Sequence, residues 1–226
     1  MILRTVVSLL AIALLAGCGG SDDSSSKVSP ARTLAAAKQH LDEASSWRIS
    51  LETDAKPQGN GVLAAEGVGT HAPAWKGNVK VMFSGIEADV PVTAMDGKLY
   101  AKLPFTSRFA PINPQDYGAP DPADFMDTDN GISSMLTSLK QPRESGKARA
   151  GGQVVATYQG TLAGTDVARI IPSASKQADY PTTVNINDEG QLTSVSITGP
   201  FFAGSADVTY DMTISDYGKD VTINRP

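Results

Sequence analysis

Between Trp75 and Leu103, hydrophobic side chains recur at every second position. Val79, Val81 and Phe83 alternate with Asn78, Lys80 and Met82, the pattern of a strand with one apolar and one mixed face. Ser84-Gly85 turns the chain into Val90, Val92 and Ala94, again in period two. Asp96-Gly97 predicts a tight hairpin, because both residues tolerate a positive φ. Leu99, Ala101 and Leu103 line the next strand, which stops at Pro104. Trp47, Ile49 and Leu51 carry the same period upstream, and Val62 to Thr70 carries it more weakly. Downstream it returns at Gln153–Ala163, Thr182–Asn187, Leu192–Gly199, Ala206–Ser215 and Val221–Asn224. Short strands joined hairpin by hairpin predict one antiparallel sheet of about ten strands, and a sheet of that size curls or closes. Pro91 removes a ladder donor, which predicts a bulge or an edge at that point.

The period changes in a few places. Ser29-Pro30 opens a helix as N-cap and first helical residue, with Leu34, Ala37, Lys38 and Leu41 on one face and an end near Ser45-Ser46. Pro104 to Pro120 holds four prolines and no steady period, so it reads as an extended loop or lid. Asp121-Pro122 is a second N-cap and first-turn pair. From Gly131 to Lys140, Ile132, Met135, Leu136 and Leu139 follow the i, i+3, i+4, i+7 spacing of an amphipathic helix. Asp166 to Ile171 is a short helix stopped by Pro172. The whole is an α+β chain in which apolar helix faces must cover an apolar sheet face. From periodicity alone, the two sets pack together as a solid core.

The first residues belong to export rather than to the fold. Arg4 gives a positive n-region, and Val6 to Leu15 an apolar run too short to span a bilayer. Leu15-Ala16-Gly17-Cys18 follows at once and resembles the lipobox of bacterial lipoproteins, in which the cysteine is acylated and becomes the new N-terminus. Residues 1–17 are therefore expected to be a lipoprotein signal peptide and Cys18 the lipidation site. Cys18 is the sole cysteine, so it has no disulfide partner within the chain. Residues 18–29, rich in Gly, Ser and Asp, read as a flexible tether, and residues 30–226 as a single domain.

Composition excludes more than it identifies. A net charge of −5 with scattered lysines leaves no basic patch, which argues against a nucleic-acid partner. His40 and His71 lack neighbouring ligands, so no metal site is expected. Gly59-Asn60-Gly61 and Gly67-Val68-Gly69 resemble the start of a dinucleotide fingerprint, but the third glycine and its helix are missing. Asp121, Asp124, Asp127 and Asp129 are more simply helix-start and loop acids than a cation site. There is no nucleophile elbow and no phosphate loop. Neither enzymatic activity nor a cofactor is expected.

The order of elements resembles a known family. Gly77-Asn78-Val79-Lys80-Val81, then Asp96-Gly97-Lys98-Leu99-Tyr100-Ala101, Asp121-Pro122 and Gly131-Ile132 through Leu136 are similar to the mycobacterial LppX/LprA/LprF/LprG lipoproteins. Ser215-Asp216-Tyr217-Gly218-Lys219-Asp220-Val221 and the lipobox fit the same pattern. The resemblance implies a large curved antiparallel half-barrel with helices on its concave face, enclosing a hydrophobic cavity for acyl chains. It implies a membrane-anchored protein that carries acylated lipids or glycolipids, of triacylglycerol or lipoglycan type, from the plasma membrane toward the outer envelope. A membrane lipid transporter as partner, a monomer, and a place on the outer face of the plasma membrane are expected with it. Val79, Val81, Phe83, Val90, Val92, Leu99 and Ala101 would form one cavity wall, and Ile132, Met135, Leu136 and Leu139 the other. The alternative is an envelope structural or regulatory lipoprotein with a solid core and no lipid ligand.

Overall fold

Residues 28–53 and 60–226 are described by the structure, a computed structural model. The expected signal peptide, Cys18 and most of the tether lie outside the described residues, as does most of the turn that Pro57 to Gly61 predicts. Eleven antiparallel strands make one open sheet: β1 Ser46–Glu52, β2 Gly61–Thr70, β3 Ala74–Phe83, β4 Ile86–Met95, β5 Lys98–Ala101, β6 Ala110–Ile112, β7 Lys140–Ala150, β8 Gln153–Ala163, β9 Asp179–Asn187, β10 Leu192–Gly199 and β11 Val208–Ser215. Their spatial order is β6-β5-β4-β3-β2-β1-β11-β10-β9-β8-β7. The first and last strands pair at the centre, Ile49 opposite Ile214. From that centre the chain walks out to one edge, crosses over the sheet through residues 113–139, and walks back from the other edge.

The crossing follows from the pattern. Alternation gives every interior strand an inward apolar set, for example Trp47, Ile49 and Leu51 in β1 and Tyr210, Met212 and Ile214 in β11, all buried. One face this apolar must be covered, and the cover comes from three helices and the crossing segment. Helix α1, Pro30–Glu43, buries Leu34, Ala37 and Leu41 over β7 and β10 and packs against α2, Ile132–Ser138. Lys38, on the edge of that face, donates to Asp42 and to Thr128 O, tying α1 to the approach of α2. Helix α3, Gly164–Ile170, lies over β8 and β9. Helix α2 is seven residues long, so Leu139 serves as its C-cap and Lys140 already belongs to β7. A short 3-10 turn, Pro122–Met126, is capped by Asp121, whose carboxylate accepts from Ala123 N–H, and it covers β2, β3 and β4.

Two strands and one loop differ from the sequence expectation. β7 is fully formed yet has no buried residue, because it is a charged edge strand. β6 is three residues around Pro111 at the other edge. Val221–Asn224 is not a strand; Arg225 just beyond it reaches Asp96 and the Tyr100 ring. Pro91 keeps the β3–β4 register unbroken, opposite Asn78. The β5 ladder spans Val92 to Met95, Lys102 N–H donates to Pro91 O at 3.0 Å just past it, and β4 from Ile86 to Val90 is a free edge, so the missing Pro91 donor falls where the ladder ends.

Candidate functional site

The concave face is filled unevenly. Over β7–β11 it is packed with rings: Tyr180 and Phe201 lie 5.0 Å apart, and Phe201 and Tyr210 4.7 Å apart. Over β2–β5 the inward residues are mostly Val, Ala and Leu, with Trp75 at one end of β3 and Phe83 at the other, and a cavity of about 240 Å³ remains between them and the crossing segment. That is an order of magnitude above the roughly 10–15 Å³ that admits one water, so it is no packing defect. Its floor includes Leu51, Val62, Ala65, Val79, Val81, Val90, Val92 and Leu99. Its roof runs from Leu103 through Ile112, Pro114, Tyr117, Ala119 and Pro122 to Phe125. Ile170, Ile171, Pro172 and Ser173, at the end of α3, complete the lining. No charged side chain takes part, and Tyr117 and Ser173 are the only hydroxyl groups.

Strand β3 shows why the space exists. Toward one end, Trp75 fills the face completely, lying over Gly67 and Gly77, where a Cβ would overlap the indole. Those glycines are strand glycines serving close packing, not a nucleotide loop. Gly69 likewise makes room for the Met126 sulfur. Four residues on from Trp75, the inward position is Val79, then Val81, and the ring volume is gone. At the far end the Phe83 ring meets that of Tyr117 in the roof, with centroids 5.3 Å apart and planes tilted by 49°. Several lining residues are themselves exposed, Phe83, Ile86 and Phe105, and these mark where the cavity opens to solvent.

The structure places the residues singled out from sequence as follows. Val79, Val81, Phe83, Val90, Val92 and Leu99 come together on the cavity floor. Ala101 is buried on the same strand but does not line the space. Ile132, Met135, Leu136 and Leu139 are buried in the core and line none of it. The second wall is therefore not α2, as the sequence led us to expect: α2 is drawn to α1 and over β8 instead. The proline-rich crossing segment and the end of α3 take its place. The signal for the roof was present in the spacing of its prolines and apolar residues, but irregular backbone has no period to read.

No group of three or more His, Cys, Asp or Glu side chains that could hold a metal exists among the described residues. The ring nitrogens of His71 lie 2.8 Å from Met126 O and 3.1 Å from Leu41 O, a structural bridge between α1 and the 3-10 turn. Asp127 caps the loop before α2, and the backbone N–H groups of Asn130 and Asp129 hold its carboxyl below the usual range. Among the described residues, no helix is long and apolar enough to cross a membrane.

A model of the LppX_LprAFG lipoproteins matches residues 29–223. This chain belongs to the LppX/LprA/LprF/LprG lipoprotein family. Among its relatives, the lipoarabinomannan carrier protein LprG of Mycolicibacterium hassiacum is 29% identical, with 96% of this chain and 94% of that protein aligned. The protein of the same name from Mycobacterium tuberculosis is 26% identical over 96% of this chain and 91% of its own. The crystal structure of LprF from Mycobacterium bovis superposes with a TM-score of 0.72 at 18% identity, covering 87% of this chain and 96% of that one. Mycobacterium tuberculosis LppX gives 0.63 at 18% identity, covering 86% and 97%. The family's open sheet, with helices on the concave side, is thus the fold seen here.

Proposed function

We propose that this family member is a lipid-anchored carrier that holds the acyl chains of a lipid or glycolipid in the cavity over β2–β5. The observation that carries the reading is a large, charge-free space bounded by aliphatic side chains on the sheet and by the crossing segment. A chain of sixteen carbons faces roughly 12 kcal/mol in water at about 0.8 kcal/mol per methylene, so a carrier must supply a cavity of this chemistry. Relatives named as lipoarabinomannan carriers support a ligand of lipoglycan type, with triacylglycerol the simpler candidate of the same acyl chemistry. Val79, Val81, Phe83, Val90, Val92 and Leu99 contact the chains, and Ala101 backs them. No catalytic step is required: loading at the plasma membrane and release toward the outer envelope suffice, with a membrane transporter as partner and a monomer as the working unit. Cys18 supplies the anchor, on the outer face of the plasma membrane.

Mass spectrometry of natively purified protein lacking Cys18 tests the reading. Bound acylated lipid is expected. A ligand-free protein that also takes up no added lipid would instead support an envelope structural or regulatory lipoprotein. For the anchor, Cys18→Ala is expected to abolish acylation and leave the melting temperature unchanged. Intact mass and cell fractionation check this, and an unmodified Cys18 in membrane-bound wild type refutes the assignment.

A further inference from the structure

Five large hydrophobic side chains are exposed among the described residues, and three of them, Phe83, Ile86 and Phe105, ring the opening of the cavity. Phe105 is the most telling. It is the second central residue of a turn closed by Thr106 N–H donating to Leu103 O at 3.1 Å, with Pro104 before it. Its φ is +66°, in the left-handed region that this turn position reserves for Gly or Asn. Thr106 Oγ1 donates to the same Leu103 carbonyl at 2.7 Å and fixes the turn. The ring it carries is fully exposed, at 108% of its reference area. The backbone is therefore strained to hold an aromatic ring in water, and nothing among the described residues buries that ring. Such an outlier points to a function outside the folded chain.

Ile86, at the start of β4 on its free edge, lines the same cavity as Phe105. It follows Ser84 and Gly85, at φ +49° and +79°, and is 69% exposed. Charge on the Phe105 side of this rim is of one sign. Lys102 and Arg108 are exposed on either side of Phe105, and no carboxylate occurs between Asp96 and Asp116. Glu87 and Asp89 alternate away from Ile86 and Ala88, which line the cavity, and Asp89 lies 3.9 Å from Lys80.

We propose that this rim docks into an anionic phospholipid bilayer, Phe105, Ile86 and Phe83 entering the acyl boundary while Lys102 and Arg108 meet the headgroups. An apolar tip flanked by cations matches that surface, with the long basic side chains reaching back to the phosphates. Docking joins the cavity directly to the bilayer interior, so an acyl chain passes between them without crossing water. The inference rests on the carrier reading and adds to it the place and manner of loading.

The test uses the full chain, matured by a host that acylates lipoproteins and reconstituted in phosphatidylcholine vesicles containing phosphatidylglycerol. Cys18 is the only native cysteine. Phe105→Cys, Ile86→Cys and, near the opposite edge of the sheet, Val154→Cys each give one site for a spin label. Collision with membrane-dissolved oxygen is compared with collision with a water-soluble nickel chelate. Labels at 105 and 86 are expected to meet oxygen and be shielded from nickel, at a depth of roughly 5–10 Å, with the label at 154 open to nickel. Three results overturn docking: nickel access at all three sites, shielding from both probes at 86 and 105 as in a protein contact, or equal shielding at 154. Lipid mass spectrometry on the same samples separates the two readings. Bound lipid with an undocked rim overturns docking alone, whereas a docked rim without bound lipid supports docking and overturns the carrier.

Discussion

The two halves of the sheet are built on one alternation and filled in opposite ways. Over β7–β11, the inward positions include Tyr158, Tyr180 and Tyr210, joined by Phe201 and Phe202 from the β10–β11 connection, and the helices press on them. Over β2–β5, the inward positions between Trp75 and Phe83 are aliphatic, and most of the cover is irregular, proline-rich chain. A helix presents a dense stripe of side chains that interdigitates with a sheet. Extended backbone held off by prolines has fewer side chains to send down, so the space beneath stays open. The difference teaches that the cavity is made by what is withheld from one half, namely rings from the middle of the floor and a helix from most of the roof.

Like-for-like substitutions sharpen that contrast. Leu162, fully buried in β8, and Leu99, 5% exposed in β5, are both inward leucines. Leu162→Ala opens a void in close-packed surroundings and is expected to lower stability by about 4 kcal/mol in chemical denaturation. Leu99→Ala widens a space already present, so about 2 kcal/mol is expected, mostly the transfer term. Equal losses would mean that the halves are packed alike.

Enlargement should separate the halves in the other direction. Val184→Trp in β9 overpacks a filled region, with an expected loss of roughly 1–3 kcal/mol and a lower melting temperature. Val79→Trp places its ring in the cavity, so melting of lipid-free protein should stay near wild type while lipid binding falls. If Val79→Trp unfolds readily, or binds lipid as well as wild type, the floor is misplaced.

The smallest effect concerns the seam between the halves. The register shift between Val62 and Ala64 leaves Val62 O to accept from the buried Tyr210 O–H of β11. Tyr210→Phe strands that carbonyl and is expected to cost about 1 kcal/mol. Burial pushes the Tyr210 phenol above the usual tyrosine range, and likewise that of Tyr217, which donates to Leu192 O at 2.7 Å. A raised phenol pKa in the folded state contributes stability that is complete below the unfolded value of about 10 and lost as pH rises above it. Alkaline titration of folding should show this loss, and the Tyr210→Phe, Tyr217→Phe double variant should flatten it.

How much of this was legible in the sequence depended on whether a residue faced a regular apolar layer. β3, β4 and β8–β11 announced themselves by period two, and the Asp96-Gly97 hairpin by its φ tolerance; both have positive φ in the structure. β7 did not, because Lys140 to Ala150 buries nothing and pairs with one neighbour only. Its signal lay instead in Gly151-Gly152, both at positive φ, which close the hairpin into β8. The cavity floor followed from alternation. That the floor was uncovered by rings did not, since period alone cannot tell a packed aliphatic face from an empty one. The segment that forms the roof reads in the sequence only as an extended loop or lid, and the resemblance assigns the wall to α2, whose four apolar residues stand at helical spacing. They do form a wall, but of the core beneath α1.

The central claim is that acyl chains lie over β2–β5 under the crossing segment. Photocrosslinking with a fatty acid carrying a diazirine on its chain, followed by peptide mapping, tests this directly. Adducts are predicted on β2–β5 and on residues 103–125, with Val81, Val90 and Leu99 among the labelled positions and loss of label in Val79→Trp. Adducts concentrated on β8–β11, or labelling that survives Val79→Trp unchanged, would contradict it.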